Sequence, residues 1–420
     1  MKITINSFTA SMCIYGLAAG SVWAQSTEKA VFIVNNVSDE ITSYVFHDDG
    51  TVDFVGNYPA DDGPMAIDIS PSGKYLAVTH GTQNEDNEVI TFFEVMPDAS
   101  LNLLGTDLVP NAPLGVAWVS ENVLAVTRTN FGGLNEVITY QFDPELASIT
   151  QVDAENTGGF CTSVIRHPSG QYLFANDSGG PYHLYMFQVD AAGNLTLLDT
   201  ETTSIYPLNP TLSPDGGRVY AGGGISGSGH DILGLQAAPG SGFIPLPGSP
   251  YTSPGSSPAY PAVSTDGQVL FCGHGSDGRV YSFLVNGDGS LTSTGHFHDF
   301  GIQGSIGDVE CLDDYLLVTD ETTAVDGVAG LFVFAIHPDG SFTQVGDVHD
   351  TGGVRPEAMV TWTPPMSCPG DLDGDGDTDQ SDLGILLGAY ENNADGDLDG
   401  DGDTDQSDLG LLLSDYGCGG

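Results

Sequence analysis

Basic residues are scarce in this sequence. Its 420 residues include only 8 Lys and Arg against 57 Asp and Glu, for a formal net charge of −49 at pH 7. A surface of that sign repels phosphate backbones, so nucleic acid is excluded as a partner. Cations and basic surfaces remain as partners. Solubility in a salty, calcium-containing medium is the simplest explanation of the acidic excess, and a specific cation-steering role is the alternative.

Long apolar runs are also missing beyond the N-terminus, so no later segment is expected to span a membrane. The first residues predict an export signal over residues 1–24. Lys2 precedes an apolar stretch at about residues 8–19, and Val22-Trp23-Ala24 offers a cleavage site. We expect cleavage after Ala24, with a retained membrane anchor as the alternative. The mature protein is then secreted or at the cell surface, extracellular or periplasmic, and not transmembrane.

Cysteine is sparse, and its number is informative. Removal of the signal would take away Cys13 and leave five cysteines in an oxidising compartment. Cys368 and Cys418 bracket an Asp-rich tail, so a disulfide between them is the expected pairing, with two independent thiols as the alternative. The remaining three, which cannot all pair with one another, are Cys161, Cys272 and Cys311.

One strand pattern recurs seven times between Val31 and Thr363. The second strand of each unit is rich in Tyr, Leu and Val, and these strands begin at residues 31, 75, 123, 172, 219, 269 and 315, which are 44 to 50 residues apart. Four short strands per repeat suit this period, whereas a helical solenoid would need amphipathic helices that are missing. The sequence therefore predicts an all-β fold, a seven-bladed β-propeller over residues 25–363, with six or eight blades as the alternative.

The two ends of the repeat array predict that the ring closes on itself. The chain enters at a second strand, while residues 355–362 repeat the first-strand pattern of residues 63–70. The last strand is therefore expected to complete the first blade, which leaves fewer exposed sheet edges. The Pro-rich residues 239–261 are expected to form a long surface excursion of the fifth blade.

Two Asp-rich loops follow a short linker at residues 364–369. Each twelve-residue loop places oxygen donors at positions 1, 3, 5, 7, 9 and 12, with Gly376 or Gly402 at position 6. Calcium prefers such hard oxygen ligands, and an apolar helix follows each loop. Residues 370–420 are therefore predicted to bind two calcium ions, with an acidic linker without metal as the alternative. The expected ligands are Asp371, Asp373, Asp375, Asp377, Asp379, Asp382, Asp397, Asp399, Asp401, Asp403, Asp405 and Asp408.

The tail, from Gly370 to Cys418, resembles a type I dockerin in its two loop–helix repeats and in the Asp at position 12. The resemblance implies a small α-helical calcium-binding domain that binds a cohesin module. Its partner-binding residues would include Gln380, Ser381, Gln406 and Ser407. The helices lack the basic pair usual in dockerins. An anchoring or folding module with structural calcium, or a contact to another cell-surface protein, is therefore the alternative.

The repeats resemble the seven-bladed lactonase family, which includes 6-phosphogluconolactonase-like proteins, through their Ser/His-Pro-x-Gly-x-Tyr-Leu motifs. The family motif that supplies a catalytic Arg, His and Glu matches best in blade four. There Thr162 and Ser163 replace the Arg-His pair, and Asp177 replaces Glu. Lactone hydrolysis would then need groups from other blades. The weak candidates are Asp177, Glu310, Glu321, Glu357, Arg166 and Arg355, of which the two Arg are expected to neutralise neighbouring carboxylates.

Two functions are consistent with these patterns. The favoured hypothesis is a secreted calcium-binding protein whose tail anchors it or binds another protein, and whose propeller is a binding scaffold for an unknown ligand. The alternative is a divergent lactonase or carbohydrate-active hydrolase acting at the propeller channel. The two differ in one observable feature, a carboxylate within reach of a His or Arg in the channel mouth.

Overall fold

The structure is a computed structural model of the chain. It describes residues 29–81, 87–130, 133–224, 230–238, 240, 242–301, 306–321, 330–364, 368–373, 378–390, 393, 396–398 and 402–418. The expected signal peptide, residues 1–24, lies outside these ranges. Within them, no helix has the length and apolar character needed to cross a membrane.

The described strands form seven antiparallel sheets of four or five strands. The first three, from the inner strand outwards, are β30 (Pro356–Trp362), β1 (Lys29–Asn35), β2 (Glu40–Phe46) and β3 (Val52–Pro59); β4 (Pro64–Ile69), β5 (Tyr75–His80), β6 (Asn87–Val95) and β7 (Leu101–Pro110); and β8 (Ala112–Ser120), β9 (Val123–Thr129), β10 (Glu136–Asp143) and β11 (Ser148–Asn156). Each sheet is one blade.

The other four blades follow the same order. Blade four contains β12 (Val164–Arg166), β13 (Tyr172–Asp177), β14 (Tyr182–Val189) and β15 (Leu195–Thr203), and blade six contains β21 (Pro258–Val263), β22 (Val269–His274), β23 (Arg279–Val285) and β24 (Leu291–Asp299). Blade five contains β16 (Leu208–Leu212), β17 (Arg218–Gly222) and β18 (Asp231–Ala238), and both β19 (Gly242–Pro245) and β20 (Tyr251–Thr252) pair with β18. Blade seven contains β25 (Ile306–Leu312), β26 (Tyr315–Asp320) and β27 (Gly330–Ile336), and both β28 (Phe342–Gln344) and β29 (His349–Asp350) pair with β27. The predicted seven-bladed propeller is confirmed.

The ring closes where the sequence predicts. Strand β30, the last of the chain, pairs with β1 in the register Val31↔Thr361 and Ile33↔Met359. Lys29 adds a polar contact at this seam, because its Nζ lies 2.5 Å from Asp48 and 2.6 Å from Asp313 of the neighbouring blade. Closure places the last described strand in the first blade, so one sheet ties the two ends of the described propeller together.

The Pro-x-Gly turns connect first and second strands. At Gly73 the backbone adopts φ +73°, a conformation that side chains with a Cβ rarely take. A Cβ at this position would also clash with the ring of Trp362, which is 6% exposed. Gly73 therefore serves both the turn and the packing of the closing strand. The Pro-rich segment supplies β19 and β20, the outer strands of blade five.

Apolar side chains from adjacent blades fill the space between the sheets. One such cluster joins the first two blades through Phe32, Ile67, Leu76 and Phe93. Each fully buried large apolar side chain stabilises the fold by roughly 1.5–3 kcal/mol relative to an exposed one. Because every sheet is covered on both faces, its second strands read as continuous apolar runs, which is what made the repeat detectable.

Two short helices follow the propeller, α1 (Gln380–Ala389) and α2 (Gln406–Asp415). They contact each other, and Leu386 and Leu412 are completely buried. A capping box begins each helix, with Asp379 or Asp405 as the N-cap. Identical caps follow from the identical sequences of the two repeats.

Candidate functional site

The inner strands of the propeller enclose a central channel with a cavity volume of about 820 Å³. A smaller cavity of about 260 Å³ opens beside it, lined by strands of blades four to seven. Both cavities share Arg166, Tyr260, Asp308 and Glu310. The channel is therefore large enough for a small organic ligand and is lined by ionisable groups.

Asp68 and Asp308 are channel carboxylates that also join adjacent blades. Asp68 Oδ2 accepts a hydrogen bond of 2.6 Å from the backbone N–H of Trp118, in the next blade. Asp308 Oδ2 accepts one of 2.9 Å from the N–H of Met359, again in the next blade. Burial raises the pKa of Asp68 to about 6 and that of Asp308 to about 7, although these hydrogen bonds oppose the rise.

Glu310 has the most perturbed carboxyl group of the channel. Burial raises its pKa well above the ordinary value, and the charges of Asp308 and Asp68 raise it further. A hydrogen bond from the backbone N–H of Cys311 lowers the pKa of Glu310, but by less than burial raises it. A carboxyl of this kind keeps its proton to higher pH than an exposed Glu does, a property common among groups that take part in acid–base catalysis.

Arg166 ends inner strand β12 and lines both cavities. Its positive charge lowers the pKa of Asp68. Among the described residues, no carboxylate forms an ion pair with it. Arg166 thus acts on Asp68 through its charge without an ion pair, and its expected neutralising role stays a prediction. Its side chain is partly buried.

Arg355 has a different environment. It immediately precedes β30, and its Nε lies 3.3 Å from Glu321 and 3.6 Å from Glu357. Since the inner strands all start at the same end of the ring, Arg355 lies towards the start of the channel and Arg166 towards its far end. Two carboxylates thus lie within reach of Arg355 at this end of the channel, so the hydrolase hypothesis is not ruled out by their absence.

Asp177 lies outside this channel site. It is 2% exposed, and its carboxylate binds the N–H of Gly179 at 2.7 Å, the hydroxyl of Tyr185 at 3.0 Å and Nδ1 of His183 at 3.2 Å. All of these groups belong to blade four. Asp177 lines neither cavity, and its candidacy as a catalytic group stays a prediction.

Sequence reasoning missed three channel residues, Asp68, Asp308 and Tyr260. Burial and the nearby charges of Glu321, Asp308 and Glu357 raise the pKa of Tyr260, so its phenol stays protonated and can donate a hydrogen bond. A signal was present for the two Asp, since Asp68 interrupts the apolar segment Ala-Ile-Asp-Ile and Asp308 stands two residues before the candidate Glu310 in Gly-Asp-Val-Glu. Alternation alone does not say which face of that strand meets the channel.

The raised carboxyl pKa values predict how stability depends on pH. Folded protein holds a proton on Asp308 up to about pH 7, whereas an unfolded chain releases it near pH 4, so stability falls as pH rises between these values. In Asp308→Asn the side-chain amide oxygen can still accept the hydrogen bond from the N–H of Met359, but the side chain no longer ionises. We expect the variant to be more stable than the wild type at pH 8 by about 1 kcal/mol or more, and no more stable at pH 4.

Urea unfolding of both proteins at the two pH values measures this difference. Asp53→Asn, at an exposed carboxylate far from the channel, is the matched control and should leave the pH dependence unchanged. An equal stability difference between wild type and Asp308→Asn at both pH values would contradict the assignment.

In the first loop of the tail, three carboxylates converge. Asp371, Asp373 and Asp382 each offer an oxygen, and these oxygens lie within 4.8 Å of one another. Asp382 is completely buried; its Oδ1 accepts the N–H of Leu372 at 2.7 Å and its Oδ2 that of Asp379 at 2.7 Å. This carboxylate therefore fixes the loop to the start of α1. Gly376 and two expected ligands, Asp375 and Asp377, lie outside the described residues.

The second loop repeats this arrangement. Asp403, Asp405 and Asp408 offer oxygens that lie within 4.8 Å of one another, and Asp408 accepts the N–H groups of Leu398 and Asp405 at 2.7 Å each. Gly402 has φ +102°, and its N–H donates to Asp397 at 2.8 Å. Position 6 therefore makes the sharp turn for which Gly is needed. Asp399 and Asp401 lie outside the described residues.

The tail contains no Lys, Arg or His from Cys368 onwards. Converging carboxylates therefore have no basic side chain of the tail to balance them, and a bound cation is the natural counter-charge. Two sets of three oxygens fit a hard divalent cation of variable coordination such as calcium. The residues that would hold it are the six converging Asp, together with Asp379 and Asp397.

The helix starts are accessible. Gln380, Ser381, Gln406 and Ser407, the expected partner-binding residues, are all exposed. Leu387, Leu411, Leu413 and Tyr416 are exposed on the same two helices, between 43% and 55%. The tail thus presents polar and apolar groups together, as a surface that contacts another protein often does.

A disulfide joins Cys368 to Cys418, with the two Cα atoms 5.6 Å apart. Backbone hydrogen bonds close the same end of the tail, from Thr378 N–H to the carbonyl of Cys418 and from Gly417 N–H to the carbonyl of Thr378. The other three cysteines are free thiols, with Cys161 and Cys272 buried and Cys311 partly buried. Burial raises the pKa of all three thiols, which makes them poor nucleophiles.

Replacing both bridging cysteines with serine is expected to destabilise the calcium-loaded tail by up to about 4 kcal/mol, since the bridge closes a loop of about 50 residues. Hydrogen exchange of the α1 and α2 amides, measured by mass spectrometry, should show the loss of protection. Propeller amides of the same sample are the internal control. Unchanged protection of the α1 and α2 amides would show that the disulfide contributes no stability to the tail.

Comparison with known proteins agrees with the propeller. The lactonase family, described as "Lactonase, 7-bladed beta-propeller", matches residues 9–118. No curated protein matches the sequence. A candidate 6-phosphogluconolactonase from Bacteroides fragilis is 17% identical with a TM-score of 0.65, over 80% of this chain and 98% of its own. One from Bacteroides uniformis is 18% identical with a TM-score of 0.61, over 80% and 100%.

A protein from Lactobacillus plantarum is likewise 18% identical with a TM-score of 0.61, over 80% of this chain and 99% of its own. At these identities the structural likeness shows the fold alone. The class is therefore a seven-bladed β-propeller. Within that class, its N-terminal part matches the lactonase family, and its structural neighbours include proteins described as 6-phosphogluconolactonase candidates.

Proposed function

We propose that the propeller hydrolyses a lactone, an internal ester of a sugar acid, inside its channel. One observation carries the proposal: Glu310, with its raised pKa, and Arg166, without an ion pair among described carboxylates, line the same cavity. Ester hydrolysis needs a group that moves a proton and a donor that stabilises the oxyanion. The lactonase match of the N-terminal part supports this alternative over a purely binding scaffold.

The proposed reaction uses these two groups in turn. Ionised Glu310 takes a proton from water as the water oxygen attacks the lactone carbonyl carbon. The guanidinium of Arg166 donates hydrogen bonds to the oxyanion that forms. The ring C–O bond then breaks, and the ring oxygen receives the proton from Glu310. The product is the open-chain hydroxy acid, which releases its own proton to water.

The other channel groups have supporting roles in this proposal. Tyr260 is a protonated phenol that can donate a hydrogen bond to a substrate hydroxyl. Asp68 and Asp308 position the inner strands through their bonds to Trp118 and Met359. Their charges keep the pKa of Glu310 high, which makes the ionised form a stronger base. Mutation of either Asp would therefore act on Glu310 indirectly.

The tail is proposed to bind two calcium ions and to anchor the protein or dock a partner. Two sets of three converging carboxylates, without a basic residue in the tail, support the calcium site. Calcium would supply the counter-charge that lets the loops fold against the helices. The exposed helix starts support a protein partner, of which a cohesin-like module is one form. An extracellular or periplasmic location, where calcium is plentiful, suits both parts.

Hydrolysis of D-gluconolactone by the calcium-loaded, full-length mature protein tests the proposed activity. The enzymatic rate must exceed spontaneous ring opening in proportion to protein concentration. Glu310→Gln should abolish that excess. If the wild type never exceeds the spontaneous rate with any sugar lactone, the propeller is a binding scaffold and the hydrolase proposal fails.

A further inference from the structure

Acidic side chains outnumber basic ones in the described lining of the channel. Its lining carries the carboxyl groups of Asp68, Asp308, Glu310 and Glu357 against the single guanidinium of Arg166. At the opposite mouth, Arg355 is already paired with Glu321 and Glu357. No Lys lines the channel in the described part of the chain. The formal charge of −49 on the whole chain adds a repulsive field around the entrance.

A phosphorylated substrate would meet these charges in two places. On approach, the field of the protein would lower its association rate. Inside, a phosphate would need a cluster of donors, whereas Arg166 is the one cation of the described lining and would already serve the ester oxyanion. An uncharged sugar ring needs only hydrogen-bonding groups, which Asn209, Tyr260 and the carboxyl groups supply.

We infer that the channel selects uncharged lactones and rejects phosphorylated ones. This inference rests on the proposed function and deepens it by naming the substrate class.

The test compares D-gluconolactone with D-gluconolactone 6-phosphate. We expect kcat/KM for the phosphate ester to be lower by about 100-fold or more, since like charges brought together cost several kcal/mol. Higher salt should reduce the ratio of the two kcat/KM values, because it screens the repulsion between the protein and the approaching phosphate ester. Glu357→Gln removes one lining charge and should also shift the ratio towards the phosphate ester, by about 5-fold or more, whatever it does to either absolute rate.

A binding measurement separates this inference from the proposed activity. D-gluconolactam, an uncharged ring analogue with N–H in place of the ring oxygen, and its 6-phosphate are titrated calorimetrically into the full chain. Tight lactam binding with at least about 100-fold weaker binding of the phosphate supports the inference, even if neither lactone is hydrolysed. Equal or tighter binding of the phosphate, equal hydrolysis of both lactones, or no binding of either analogue overturns it.

Discussion

Replacing Glu310 by Gln is expected to lower kcat/KM for sugar-lactone hydrolysis about 1000-fold, within the range that a positioned proton-transfer group contributes. Gln has nearly the same shape and keeps the channel filled, but it cannot accept a proton from water. Because Glu310 is a buried carboxyl whose neutral form is favoured, the substitution should not destabilise the fold. The loss is therefore a loss of chemistry rather than of structure.

The pH dependence of the hydrolysis rate is a second test of the role of Glu310. The raised pKa of Glu310 places its ionisation well above that of an exposed Glu, so wild-type activity should rise with pH as Glu310 loses its proton. The residual activity of Glu310→Gln should lack that rise. Initial rates across the acidic to mildly alkaline range, corrected for spontaneous hydrolysis, provide the measurement.

Glu321→Gln is the matched control for Glu310→Gln. Glu321 is also a largely buried acid of blade seven, but it pairs with Arg355 at the other end of the channel. We expect less than about a 5-fold change in kcat/KM, since a rim charge acts mainly on association. If the two variants lose activity equally, the effect belongs to the charge of the channel as a whole, and Glu310 has no special role.

Removing calcium is expected to unfold the tail and leave the propeller intact. Without a cation, the three converging carboxylates described in each loop would repel one another, and the tail offers no basic residue to offset their repulsion. Hydrogen exchange should show α1 and α2 amides unprotected in chelator and protected in calcium. Amides of the β1–β30 seam should be equally protected in both conditions.

The position-12 carboxylates allow a matched pair of variants. Asp382→Ala should abolish one of two calcium sites and Asp408→Ala the other, each with at least a 100-fold loss of affinity at its own loop. Each carboxylate also ties its loop to its helix through backbone N–H bonds, so both variants should lose helix protection locally. Calorimetric calcium titration counts the remaining sites. Two sites in either variant would show that position 12 is not a ligand.

The propeller could be predicted because its signal is repeated. Seven apolar second strands at similar spacing, with Gly at the turns, leave few other folds, and closure followed from the likeness of residues 355–362 to residues 63–70. The disulfide between Cys368 and Cys418 could be predicted because these two residues bracket the Asp-rich tail. These features depend on local pattern and order, which a sequence displays directly.

The channel chemistry was less accessible to sequence reasoning. The lactonase motif directed attention to Asp177, whose carboxylate accepts hydrogen bonds within blade four and lines neither cavity. Arg166 and Arg355 received the same expectation, but Arg355 alone forms ion pairs with described carboxylates. Whether a charged residue meets a partner, a neighbouring blade or the open channel depends on the register between blades, and a single sequence does not contain that register.

The central claim is that Glu310 and Arg166 hydrolyse a lactone in the channel, and proton release in a pH-stat tests it most directly. D-gluconolactone is added to the calcium-loaded protein, and initial rates are compared for wild type, Glu310→Gln and Arg166→Met. The account predicts a wild-type rate that exceeds spontaneous hydrolysis in proportion to protein concentration and that nearly vanishes in both variants. Identical rates for all three proteins would contradict it.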